Sequence, residues 1–167
     1  MLKPYKSGMS ARSCINKTRF DRKLLQIKLA FEELVKLRNV YAPSAKIVTH
    51  TYDLLNPSKK AAKFAGIKVT GPWIYPYLVE KGIPEQMHAT VVKHLLGDMK
   101  TMLLQLSSLR KNMGKLIVVN TQGTLEPGNA RHWKDEMHPT SKGFKDIARK
   151  YYGKLKELEP SLPAFAR

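Results

Sequence analysis

The sequence predicts an α/β protein with a parallel sheet that is covered by helices on both faces. Two short runs rich in β-branched residues, 46–52 and 116–120, have the composition of buried strands. Each run lies between stretches in which apolar residues recur at helical spacing. Because strands that alternate with helices along a chain form parallel sheets, this order indicates a layered α/β domain.

The chain begins with a segment, residues 1–16, that shows no hydrophobic periodicity. It contains Pro4, Gly8 and three serines, which are residue types common in loops. We therefore expect a flexible N-terminal segment ahead of a domain that spans residues 17–160. A short tail, residues 161–167, follows that domain.

The first helix is predicted from the spacing of Thr18 and Asp21, which suits a capping pair at a helix start. It should end near residues 38–40, because a residue that is followed by a proline, here Pro43, disfavours the helical backbone conformation. Its apolar stripe has a helical period and consists of Phe20, Leu24, Ile27, Phe31 and Leu34.

The first strand, 46–52, is followed by a stretch with many glycines and prolines, residues 54–83, which we expect to be a long irregular loop. Loops of this length in a compact domain are usually functional or cover a site. Pro84 suits the first turn of a second long helix, which should finish before Gly114.

The second strand, 116–120, leads into a loop at 121–131, and a last helix is predicted from about Thr140 to just before Pro160. Two buried strands make a poor sheet, since each leaves an unpaired edge. We therefore expect further strands to come from another chain or from dimerisation.

Composition limits the class of protein. The 167 residues are 43% apolar, which suits one domain with a core. Cys14 is the only cysteine, so a reducing, cytoplasmic compartment is the simplest interpretation. The N-terminus lacks the apolar core of a secretory signal, and no apolar run is long enough to predict a membrane span.

The formal net charge is +17, from 30 Lys and Arg against 13 Asp and Glu. Such a charge attracts anionic partners, and nonspecific, salt-sensitive binding of polyanions is expected. The basic residues are spread over all the predicted helices without a dense run. That pattern is typical of a solvated basic surface, although a nucleic-acid-binding protein stays an alternative.

Asp135 and His138 form the clearest chemical signal in the chain. A carboxylate three residues before a histidine can reach the ring Nδ1 around a tight turn. It would then fix the ring tautomer and stabilise the imidazolium as the ring accepts a proton. The pair follows a strand and precedes a helix, at the sheet edge where α/β proteins build their sites. A surface or capping pair is the alternative.

The region from Cys14 to Leu155 resembles the C-terminal half of SGNH (GDSL-type) hydrolases. No single piece is diagnostic, but the order and spacing of several are similar to that family. The matching pieces are 14–17, Thr49-His50-Thr51-Tyr52-Asp53, Gly71-Pro72-Trp73, Thr121-Gln122-Gly123-Thr124-Leu125, 133–140 and 143–148.

This resemblance implies a flavodoxin-like three-layer α/β/α fold that lacks its N-terminal strands. It implies hydrolysis of a small-molecule carboxylic ester through an acyl-enzyme, with His138 as general base and Asp135 as its orienting acid. Glu136 is the alternative acid, because relatives carry a carboxylate at its position. His50, Tyr52 and Trp73 would then line the pocket.

The chain departs from the family at the nucleophile. It contains neither the Gly-Asp-Ser segment that carries the catalytic serine nor the Gly-x-Asn-Asp block of the oxyanion hole. A base and an acid alone cannot perform acyl transfer by this mechanism. The candidate stand-ins in the N-terminal segment are Ser7, Ser10, Ser13 and Cys14, each of which is otherwise an ordinary loop residue.

Two further interpretations stay open. The chain could be a non-catalytic relative that acts as a dimeric binding or assembly module, or one part of an esterase whose missing half comes from a complementing chain, a cleaved precursor or a longer parent gene. His88, His94 and His132 have no ligand-like spacing with carboxylates, so no metal and no other cofactor is expected.

Overall fold

The structure is a computed structural model that describes residues 1–64 and 67–165, and for Lys63, Phe64 and Lys68 it describes the backbone only. Gly66 of the expected loop and the last two residues of the expected tail lie outside the described residues. The elements are α1 (Lys17–Tyr41), β1 (Ile47–His50), β2 (Ala62–Phe64), β3 (Ile67–Thr70), α2 (Tyr75–Glu80), α3 (Glu85–Ser108), β4 (Leu116–Val119) and α4 (Ser141–Leu158).

The two predicted strands form a parallel pair, β1 with β4. Ile47 lies opposite Leu116, and His50 lies opposite Val119. The described residues contain no third strand in this sheet, so the α/β class is confirmed while the three-layer arrangement is not. The parallel direction brings the carboxyl ends of both strands to one edge, where residues 51–53 and 120–125 leave the sheet.

The three long helices occur where the apolar stripes predict them. Helix α1 is capped by Asn16, whose side-chain oxygen accepts the Arg19 amide at 3.1 Å, rather than by Thr18. Val35 of α1, Leu106 of α3 and Leu116 of β4 pack together in a small core against the sheet. Helix α4 begins at the cap Thr140 and contacts β4.

The stretch 54–83 is more ordered than the sequence predicts. Strands β2 and β3 form an antiparallel pair, and the short helix α2 follows. Strands of three or four residues and a six-residue helix are too short for periodicity to reveal. The expectation of a wholly irregular loop is therefore wrong for this part of the chain.

The N-terminal segment is a packed part of the domain and not a flexible tail. Leu2 pairs with Ile15 in an isolated bridge, and the Tyr5 amide donates to the Lys81 carbonyl at 2.7 Å. Cys14 and Ile15 are buried in the main core. That core gathers side chains from the N-terminal segment, α1, α2 and α3, and includes Leu78, Val91, Val92, Leu125 and Trp133.

Candidate active site

The loop between β4 and α4 is folded back on itself and presents His138. Trp133 and Pro139 form an antiparallel bridge, and the Lys134 amide donates to the His138 carbonyl at 2.8 Å. The Thr140 amide closes the loop by donating to the His132 carbonyl at 2.9 Å. The backbone around His138 is thus held by its own hydrogen bonds before α4 begins.

Asp135 and His138 are in contact. The ring Nδ1 of His138 lies 3.0 Å from both carboxylate oxygens of Asp135. Oδ1 of Asp135 also accepts the backbone amides of Met137 at 2.9 Å and His138 at 2.8 Å. This geometry fixes Nδ1 as the protonated nitrogen and leaves Nε2 as the basic one.

The side chains of Asp135 and His138 differ sharply in burial. The Asp135 side chain is 2% exposed, whereas the His138 side chain is 54% exposed. Burial by itself raises the pKa of Asp135, but hydrogen bonds from the His138 and Met137 amides and from the His138 ring outweigh it, so that the pKa lies below its ordinary value. Asp135 is therefore an anchored anion beneath an accessible imidazole.

Two aromatic residues from distant parts of the chain flank the pair. The ring of Trp73 meets the His138 ring edge to face, with centroids 5.0 Å apart. The Tyr52 hydroxyl donates to the Met137 carbonyl. Burial, and secondarily the charge of Asp135, raises the pKa of Tyr52 to about 12, so this hydroxyl stays a hydrogen-bond donor at neutral pH.

Glu136 has contacts that are separate from those of the pair. Its buried carboxylate accepts the amides of three consecutive residues, Trp73 at 2.5 Å, Ile74 at 2.8 Å and Tyr75 at 2.7 Å. It also accepts the Ser58 amide at 3.3 Å. Glu136 therefore joins the start of α2 to the His138 loop, and among the described contacts it has none with the His138 ring.

A third buried carboxylate orders the neighbouring loop. Asp53 follows β1 and accepts the amides of Gly123 at 2.5 Å and Leu125 at 2.7 Å. Thr51 and Thr121 interlock beside it, since the Thr121 amide donates to the Thr51 hydroxyl at 3.0 Å and the Thr121 hydroxyl donates to the Thr51 carbonyl. These residues lie in the segments 49–53 and 121–125, but sequence spacing alone did not reveal that the two segments are in contact.

His50 lies in a different place from His138. Its Nδ1 is 2.9 Å from the Thr51 carbonyl oxygen and 3.2 Å from the Thr121 hydroxyl, and its ring meets Tyr151 edge to face. It lines an apolar groove along α4 rather than the cavity beside His138. Phe144 borders both of these spaces.

The cavity beside His138 has a volume of about 400 Å³. Its lining includes three residues that the sequence did not single out, Ala62, Lys134 and Ser141. A hydroxyl at Ser141 is visible in the sequence, but no motif marks it. The full lining is Ala62, Lys134, Asp135, His138, Pro139, Thr140, Ser141 and Phe144.

None of the four candidate stand-in nucleophiles lines this cavity. Cys14 is completely buried in the core, and burial raises the pKa of its thiol although Lys3 opposes this. A buried neutral thiol is a poor nucleophile. Ser10 and Ser13 hydrogen-bond to each other at 3.0 Å, and Ser7 is exposed in the same segment.

Within residues 1–64 and 67–165, no group of three or more His, Cys, Asp or Glu side chains is arranged to hold a metal ion. No helix in the described part of the chain is long and apolar enough to cross a membrane. Comparison with known proteins gave no match to a family model, to a curated protein or to a solved structure.

Proposed function

We propose that this chain carries the base and acid of a carboxylic-ester hydrolase of the SGNH type, and that a polypeptide segment outside these 167 residues, in the same gene product or in another chain, provides the nucleophilic serine. The observation that carries this proposal is the contact between the accessible His138 ring and the buried Asp135 carboxylate. A histidine with Nδ1 held by a carboxylate and Nε2 open to solvent has the arrangement of a general base.

The chemistry follows from that arrangement. Nε2 of His138 accepts the hydroxyl proton of the incoming serine as the serine oxygen attacks the ester carbonyl. Asp135 stabilises the imidazolium that forms, and the proton then passes to the departing alkoxide. Water repeats the sequence on the acyl-enzyme, and the carboxylic acid leaves with the serine restored.

The free edge of β1 is the best route for such a polypeptide. Ile47 donates its amide to the carbonyl of the residue before β4, and Thr51 donates to the last carbonyl of β4. The alternate residues Val48 and His50 therefore direct their backbone groups to the other edge. A parallel strand added there would end at the carboxyl edge of the sheet, where Tyr52 contacts the His138 loop.

The apolar face of α4 supports the same route. It borders the groove that His50 also lines, and Phe144 at its start is 56% exposed. Tyr151 reaches from this face to the Val48 carbonyl at 2.8 Å and satisfies one acceptor of the free edge. Phe144 lines both this groove and the cavity of His138, so a chain seated in the groove would lie near the base.

The first test is hydrolysis of p-nitrophenyl butyrate by the isolated chain. An activated ester can be attacked with general-base help from His138 even without the serine, and we expect a rate about tenfold above that of His138→Ala. His94→Ala is the matched control, since His94 lies on α3 and does not line the cavity. Equal rates for the wild type and His138→Ala would reject His138 as the base.

The second test concerns the source of the serine. A fluorophosphonate probe should leave the isolated chain unlabelled, because none of the candidate serines of the N-terminal segment lines the His138 cavity, and Ser141, which does line it, has no hydrogen bond to the His138 ring among the described contacts. Labelling that disappears in Ser141→Ala but persists in Ser10→Ala would assign the nucleophile to Ser141 and refute the need for a segment outside this sequence.

A second candidate function is that of an assembly module without catalysis, and the uncovered apolar face of α4 favours it. That function predicts a stable dimer in sedimentation equilibrium, dissociated by Phe144→Asp. It also predicts equal ester hydrolysis by the wild type and His138→Ala, which separates it from the first candidate.

A further inference from the structure

A cavity of about 600 Å³ lies among α1, α2 and α3, and Trp73, which contacts the His138 ring, forms part of its lining. Leu24 and Ile27 of α1 and Leu95 and Leu96 of α3 form facing walls. This volume is within the range of small-molecule sites, which are concave and mostly apolar. Binding of a molecule in this cavity would not require His138 to act as a base.

The charged groups at this cavity have one sign. Lys23 of α1 and Lys81, which follows α2, line it, and no acidic residue does. Lys81 pairs with Glu80 at 2.7 Å, whereas Lys23 takes part in no ion pair in the part of the chain that the structure describes. An apolar chamber that carries ammonium groups and no carboxylate suits a molecule with an apolar chain and an anionic head.

We propose that this cavity binds a single-chain amphiphile with a carboxylate head, of the fatty-acid class. The chain would lie between α1 and α3 against Leu24 and Leu95, and the head would meet the ammonium of Lys23. Trp73 forms part of the wall of this chamber and also contacts the His138 ring, so the bound chain lies one side chain away from the candidate active site.

Calorimetric titration with dodecanoate, below its micelle concentration and at low salt, tests the proposal. We expect one saturable site. Decanoate, shorter by two methylenes, should bind about tenfold more weakly because less apolar surface is buried. Dodecanol should bind about twofold to fivefold more weakly than dodecanoate, because it has no carboxylate to form an exposed ion pair with Lys23.

Paired variants locate the site. Leu24→Trp fills the chamber and should weaken dodecanoate binding by at least about tenfold, whereas Leu25→Trp, at a neighbouring residue that is 52% exposed, should leave it unchanged. Lys23→Gln should abolish the preference for dodecanoate over dodecanol. Arg22→Gln, which removes an adjacent cation outside the cavity, should retain that preference.

Three results would overturn the proposal. One is the absence of saturable dodecanoate binding, and another is an equal loss of affinity in Leu24→Trp and Leu25→Trp. The third is a wild type that binds dodecanol as tightly as dodecanoate, which would remove the anionic head from the assignment. If Leu24→Trp fails to fold by circular dichroism, the Lys23→Gln and chain-length results decide the question, because neither disturbs the core.

Discussion

At the scale of residues, two adjacent carboxylates in the His138 loop have different tasks. The Asp135 carboxylate accepts a hydrogen bond from Nδ1 of the His138 ring, while the Glu136 carboxylate accepts the amides at the start of α2. The backbone bends at residues 134–137, and the two side chains contact different parts of the chain. Glu136 thereby fixes Trp73, which packs against His138.

Replacing Glu136 with alanine should be strongly destabilising. The substitution leaves the partly buried amides of Trp73, Ile74 and Tyr75 without this acceptor, and each unsatisfied group of this kind costs about 1–3 kcal/mol when it is buried. We expect a loss of about 3 kcal/mol or more in the free energy of unfolding, measured by urea denaturation. Glu157→Ala, at an exposed position on α4, is the control and should change stability by less than about 0.5 kcal/mol. A Glu136→Ala protein as stable as this control would contradict the assigned contacts.

Asp135 makes stability depend on pH in a defined direction. Its pKa is lowered in the folded protein, so its contribution is complete above the unfolded-state pKa of about 3.9 and is lost as the pH falls through the folded-state value. The stability difference between the wild type and Asp135→Asn should therefore be larger at pH 6 than at pH 3. Thermal unfolding of both proteins at the two pH values measures it. A difference that stays constant or grows on acidification would show that Asp135 is not a stabilised anion.

At the scale of elements, helices α1, α3 and α4 were predictable because each has enough residues to display its period. Strands β1 and β4 are only four residues long, and they were predictable because each contains an unbroken run of β-branched residues. The β2–β3 pair was missed because neither strand contains such a run, and Ile67 and Val69 of β3 are exposed. Packing of the N-terminal segment depends on contacts with residues far along the chain, such as Tyr5 with Lys81.

The candidate site was predictable in part for the same reason. The contact of Asp135 with His138 is local, three residues apart, and spacing reveals it. The contacts of Glu136 with α2 and of Asp53 with the loop after β4 join residues 60 or more positions apart, and no single sequence pattern encodes them. The source of the nucleophilic serine stays a prediction, because that serine would lie outside the 167 residues of this sequence.

Helix α4 offers a matched pair of glycines. A Cβ at Gly143 would overlap the His132 carbonyl oxygen and approach Pro139, whereas a Cβ at Gly153 would meet nothing within 4 Å. Gly153→Ala should stabilise the protein by about 0.5–1 kcal/mol, because alanine is the better helix former. Gly143→Ala should destabilise it and disturb the His138 loop. Melting temperatures that rise in both variants would refute the close packing of α4 against that loop.

At the scale of the whole molecule, charge dominates behaviour in solution. A net charge of +17 spread over the surface should bind polyanions without regard to sequence. We expect DNA retention that falls steadily with rising salt concentration and is equal for unrelated duplexes of one length, measured by fluorescence anisotropy. Binding that discriminates between such duplexes at fixed salt would instead support a specific nucleic-acid function.

We expect His138 and Asp135 to act as one catalytic unit, and a double-mutant cycle on p-nitrophenyl butyrate hydrolysis measures their coupling. If Asp135 acts through His138, Asp135→Asn lowers the hydrolysis rate when His138 is present. The same substitution has no further effect on the rate in the His138→Ala variant. The double variant should therefore be as slow as His138→Ala alone. A wild-type rate in Asp135→Asn, or equal and independent effects of the two substitutions, would contradict the claim.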